Sequence, residues 1–110
     1  MSFYLYQLSY TPDAVKALVA TPSDREAAAR KLIESLGGKL HHLFFAFGQH
    51  DVICLIEGPD DQMMAAGAMA VAASGTVASS STVKLMTPAE AMAAMQAAGK
   101  ALGSYKPPMR

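Results

Sequence analysis

Charge is what this chain has least of. Asp, Glu, Lys and Arg make up 16% of its 110 residues, while 52% are hydrophobic. An average globular protein is roughly 25% charged. A domain this small has much surface for its volume and needs polar side chains to cover it, so the shortage implies that a second subunit covers part of it. Neither sign is in excess, since nine basic and nine acidic residues cancel. With no basic stripe to draw phosphates, nucleic acid is not an expected partner. Cysteine is nearly absent too. Cys54 stands alone, cannot form an internal disulfide, and reads from its apolar surroundings as an inert buried thiol. No apolar run approaches the roughly 18 residues of a membrane span once Gly and Ser are discounted. The stretch 63–71 comes nearest and is rich in Ala and Gly rather than Leu. The first residues lack the basic segment of a secretory signal. A cytoplasmic protein with no membrane partner is the expectation.

Between these absences the chain is regularly punctuated. Phe3 to Tyr10 is aromatic-rich and stops at Thr11-Pro12, as a strand does. Thr11-Pro12-Asp13 can cap a short helix over 14–19. Thr21-Pro22-Ser23-Asp24 reads as the start of a longer one, with Thr21 as N-cap and Pro22 in the first turn. Ala29, Leu32, Ile33 and Leu36 then form one apolar stripe, and Gly37-Gly38 stops the helix. Strands are expected over 39–47 and 51–57, joined by a tight turn at Gly48 to His50. Gly58-Pro59-Asp60-Asp61 ends the second of these and caps a helix over 62–74 that is apolar nearly all round, hence buried on more than one side. Gly75 ends it. A fourth strand over 77–86 follows, then Thr87-Pro88-Ala89-Glu90, a capping box for a last helix to Leu102. With no linker or repeat in view, residues 1–103 form one domain and 104–110 an extended tail.

Strand, helix, strand, strand, helix, strand is the ferredoxin-like arrangement, an α+β fold, here with an extra C-terminal helix. Such a sheet carries helices on one face. A face open to water would show clean alternation, yet Phe3 and Leu5 alternate with Tyr4, Tyr6 and Leu8, and Phe45 with Phe44. A homodimer or higher homo-oligomer is the expected state.

These segments also resemble a known family. Leu8 to Pro12, Ala27 to Leu32, Leu36 to Leu40, Ala46-Phe47-Gly48 with Asp51-Val52, Pro59-Asp60-Asp61, Ala70 to Gly75 and Leu85 to Pro88 with Glu90 follow, in order, the pattern of GYD-domain proteins. That family takes its name from a Gly-x-Tyr-Asp motif at the second hairpin. The resemblance implies a ferredoxin-like fold of the dimeric α/β-barrel type, in which two sheets face each other, and implies no reaction. Gly48 and Asp51 fit the motif, whereas His50 stands where the family has tyrosine.

Several residues could carry chemistry. At the hairpin, Gly48 can supply the positive φ that tight turns need, and Asp51 can accept backbone N–H bonds. Both then serve the turn, or Asp51 lines a cleft with His50, an imidazole suited to acid–base work. His41 and His42 point to opposite faces and cannot share a metal, and no third ligand sits at zinc-like spacing. A turn at Gln49-His50 places His42 opposite Glu57 and Phe44 opposite Leu55. His42–Glu57 is then a surface pair or an imidazole oriented for acid–base work. Ser80, Thr82 and Lys84 share a face of the fourth strand, as edge protection or as ligand contacts. Tyr4, Tyr6 and Tyr10 share a face of the first strand, as packing at a subunit interface or as the wall of a ligand pocket. No nucleophile elbow is present and no cofactor is implied. Two functions compete. One is a homo-oligomeric module that assembles, or that binds a small apolar or mixed-polarity molecule at the sheet and subunit interface. The other is a cofactor-free oxygenase- or isomerase-like enzyme using His42 or His50 with Asp51 or Glu57.

Overall fold

The computed structural model describes residues 1–108. Its elements run β1 (Ser2–Tyr10), α1 (Pro12–Ala20), α2 (Arg25–Ser35), β2 (Lys39–Phe45), β3 (Val52–Gly58), α3 (Asp61–Ala73), β4 (Val77–Leu85) and α4 (Pro88–Ala101), closed by a 3-10 turn at Leu102–Ser104. The four strands form one antiparallel sheet in the order β2-β3-β1-β4. This is the ferredoxin-like fold with an added terminal helix. Residues 109 and 110 of the expected tail lie outside the described residues.

Local chemistry sets the boundaries. The Thr11 hydroxyl accepts from Ala14 N–H and starts α1. α2 begins later than the Thr21-Pro22 signal suggests. Thr21 instead closes α1, its N–H donating to the Ala17 carbonyl at 2.9 Å, while the Asp24 carboxylate takes the Ala27 N–H at 3.0 Å and caps α2. At the other end Gly38 N–H reaches Ile33 O and Gly37 N–H reaches Glu34 O, both at 3.0 Å. This is a Schellman stop, with Gly37 at φ 86°. Gly38 has a second reason to be glycine, because a Cβ there would meet the Glu57 carbonyl oxygen at 2.9 Å. Asp60 caps α3 through Met63 N–H. Thr87 and Glu90 form the expected capping box at α4.

The core lies between the sheet and the pair α2–α3. Tyr4, Tyr6 and Leu8 of β1, Leu40 of β2, and Val52, Cys54 and Ile56 of β3 point into it, met by Ile33 from α2 and by Met63 and Met64 from α3. The tyrosines of β1 therefore face the helices, not the open side of the sheet. The other face, carrying Phe3, Leu5, Phe44, Ile53, Leu55 and Val83, has no helix over it. Phe44 and Val83 are exposed and the rest half-buried.

α4 does not join this body. None of its residues is buried, and among the described residues its only substantial packing is against the turn that follows it. The outer side of α3 is likewise bare, with Met69 70% exposed. The described chain measures 60 × 33 × 22 Å with a radius of gyration of 17.9 Å, against about 13 Å for a compact chain of this length.

Candidate functional site

The β2–β3 register differs from the one a tight turn at Gln49-His50 would impose. His42 pairs with Leu55 and Phe44 with Ile53, and a bulge at His41 shifts the pairing so that Lys39 and Leu40 meet Glu57 and Ile56. The connection is a six-residue loop over 46–51, closed by Ala46 N–H donating to Asp51 O at 2.8 Å. Gly48 does not take positive φ, which among the described residues is confined to Gly37 and Gly75. A six-residue loop has no need of it. Asp51 is a clasp. Its carboxylate accepts from Tyr10 N–H at 2.9 Å, and its own N–H donates to Leu8 O at 2.8 Å, tying the loop to the end of β1. His50 lies beside it, with Nδ1 3.4 Å from Ser9 Oγ. Phe47 at the tip is fully exposed.

The bulge also exchanges the histidines. His41 Nε2 and Glu57 Oε1 are 2.8 Å apart, both half-buried on the open face, and the His41 ring lies 5.7 Å from that of Phe3. His42 does not reach Glu57. It is exposed and stacks on Phe44 with ring centroids 5.8 Å apart. The expected His42–Glu57 pair is thus replaced by His41–Glu57. A one-residue bulge puts consecutive side chains on one face.

Three of the six expected ligand contacts gather around a residue the sequence marks only as a helix-start acid. Tyr4 Oη donates to Asp61 Oδ1 at 2.6 Å, Lys84 Nζ lies 3.0 Å from the same oxygen, and Thr82 joins them around a shallow depression of about 260 Å³. Burial, then the hydrogen bond to Asp61, pushes the Tyr4 phenol up. The bonds from Tyr4 and Lys84 hold Asp61 below the usual carboxylate range, and Asp61 in turn raises Lys84. Ser80 lines neither this depression nor the larger cavity.

The larger cavity, about 300 Å³, lies between α2 and α3 with the sheet as its floor. Leu8, Val52, Cys54 and Ile56 form the floor, Ala29, Leu32 and Ile33 one wall, and Met64, Gly67 and Val71 the other. Tyr6 and Tyr10 also line it, as do Ser74, Thr76 and Arg25. Gly67 keeps the α3 wall thin, since a Cβ there would meet Leu36 and Ile33 only at ordinary contact distances of 3.5 and 3.8 Å. Tyr6 is 4% exposed, and among the described residues its hydroxyl has no hydrogen-bond partner. Burial pushes this phenol up, and the Ser80 hydroxyl on the neighbouring strand pulls the other way without closing a hydrogen bond. Burial also drives the Cys54 thiol up to about 11. The sequence signals Arg25 only as part of a polar helix face. Its place at the cavity depends on α2 starting at Asp24. Among the described residues no cluster of three or more His, Cys, Asp or Glu comes together, and no helix is long and apolar enough to cross a membrane.

The sequence pattern of the GYD domain family matches residues 4–95, and the chain belongs to that family. No curated protein matches it. Among solved structures it is similar to the crystal structure of MtbAldR, with a TM-score of 0.54 and 11% identity over 78% of this chain and 52% of that one. The chain thus spans about half the length of that protein, and at such identity the likeness shows the fold alone.

Proposed function

We propose that this GYD-domain chain is an assembly module that works as a homodimer, with a second copy covering the open sheet face and α4. The carrying observation is α4 itself, fourteen residues with no buried side chain. An isolated helix of that length is marginal in water and depends on packing for its stability. Its start is fully specified by the Thr87–Glu90 box, yet Met92, Met95 and Leu102 are 60–72% exposed. The bare sheet face has the composition of a covered one, and zero net charge puts no repulsion between copies. A two-fold dimer places the same patch of each copy against the other and supplies the missing cover for both.

Light scattering on the eluting protein tests this. At tens of micromolar the expected mass is twice that of the chain, and Met92→Glu with Met95→Glu shifts it toward one. A stable wild-type monomer at that concentration contradicts the proposal.

A second reading, a cofactor-free enzyme, has one observation behind it. His41 and Glu57 form an oriented imidazole–carboxylate pair beside Phe3, the arrangement of a general base. In this reading His41→Ala abolishes any turnover found in a substrate panel, while His42→Ala leaves it intact.

A further inference from the structure

The cavity between α2 and α3 lies on the other side of the sheet from the open face, and what it holds is independent of whether the chain dimerises. Its walls are mainly apolar, and their exposed polar groups gather at one end, with Tyr10, Ser74, Thr76 and Arg25. Among the described residues Arg25 is the only charged member of the lining. Among the described residues its guanidinium forms no ion pair and meets only Ser23 Oγ, at 3.4 Å. The neighbouring Asp24 carboxylate is engaged by Ala27 N–H. The volume of about 300 Å³ sits at the lower end of ligand pockets, which run from roughly 300 to 1,000 Å³ and combine apolar walls with a few placed polar groups.

We infer that this cavity binds a small, mainly apolar carboxylic acid. Arg25 meets the carboxylate at the end of the cavity that Tyr10, Ser74 and Thr76 also line, where β1 finishes and β4 begins. The apolar body lies along Leu8, Val52, Cys54 and Ile56. Phosphorylated or multiply charged molecules do not fit, because the described lining offers them no second cation.

Two probes isolate the carboxylate: octanoate and 1-octanol. Each is titrated into the full chain and followed by amide NMR shifts at Ala29, Ile33, Gly67 and Val71. The acid is expected to bind more tightly than the alcohol. Arg25→Gln removes the acid's advantage, about tenfold or more for a hydrogen bond to a charged group. Gly67→Ala adds a methyl at the cavity wall and weakens both while the protein stays folded by circular dichroism. Shifts scattered over the surface, no binding of either probe at millimolar concentration, or binding indifferent to Arg25→Gln overturns the inference.

Discussion

Replacing Tyr6 by Phe removes one oxygen atom from the core and should make the protein more stable. The side chain is 4% exposed and its hydroxyl is without a partner among the described residues. Holding an unsatisfied hydroxyl away from water costs about 1–3 kcal/mol. The ring itself is retained, so its packing against Leu8, Cys54 and the helices is preserved, and the oxygen leaves space beside a cavity that already exists. Taking the lower end of the range, because the Ser80 hydroxyl stands nearby and eases the cost, the gain is about 1 kcal/mol. That corresponds to roughly 4 °C in melting temperature for a domain of this size. The assay is urea unfolding at fixed protein concentration, which removes any contribution of association to the comparison. A raised midpoint at unchanged slope is a change in stability rather than in the denatured state. Ser80→Ala is the control and should move the midpoint little. If Tyr6→Phe loses 1 kcal/mol or more at unchanged slope, the hydroxyl has a partner in solution.

Other expectations follow from the same geometry. Gly67→Ala should stabilise by about 1 kcal/mol, the usual helix-interior difference between these residues, because its methyl meets only ordinary contacts; a loss in thermal unfolding would show that the α2 and α3 walls are closer than described. Asp51→Ala should cost about 1–3 kcal/mol by orphaning the half-buried Tyr10 N–H, whereas Gly48→Ala, at ordinary φ with open space around it, should be neutral; equal effects would put the motif glycine back into the turn's mechanics. Cys54, with its thiol held up near 11, keeps about a hundredfold less thiolate at pH 8 than an unperturbed cysteine. It should resist iodoacetamide in the native state, react more readily as pH rises toward 11, and label fully in denaturant; fast labelling at pH 8 without denaturant contradicts its burial.

How far the sequence carried can be judged residue by residue. Stops and starts encoded by one or two residues were legible: Gly37-Gly38, Asp60 and the Thr87–Glu90 box all sit where local hydrogen bonding requires. The ferredoxin-like order was legible because each strand is bounded by Gly or Pro. Three things were not. The Thr21-Pro22 pair carries a helix-start signal that Asp24 also carries three residues later, and the choice between them depends on how α1 ends. The hairpin register depends on a loop length that Gly48 does not set, and the bulge at His41 leaves no sequence mark. It is this bulge that gives Glu57 to His41 instead of His42. Finally, with both faces of β1 apolar, nothing in the alternation says which one the helices cover, so Tyr4, Tyr6 and Tyr10 could not be assigned to the core from pattern alone. The cavity shares that origin, since it exists only because α2 and α3 stand apart over the tyrosine face.

The assembly reading turns on whether α4 has something to pack against in solution. Hydrogen exchange of the α4 amides from Ala91 to Ala101, followed across a dilution series, measures this directly. The account predicts slow exchange at high concentration that accelerates on dilution in step with loss of the dimer mass. Exchange at the rate of an unfolded peptide at every concentration would show that α4 is an unpacked arm and would contradict the account.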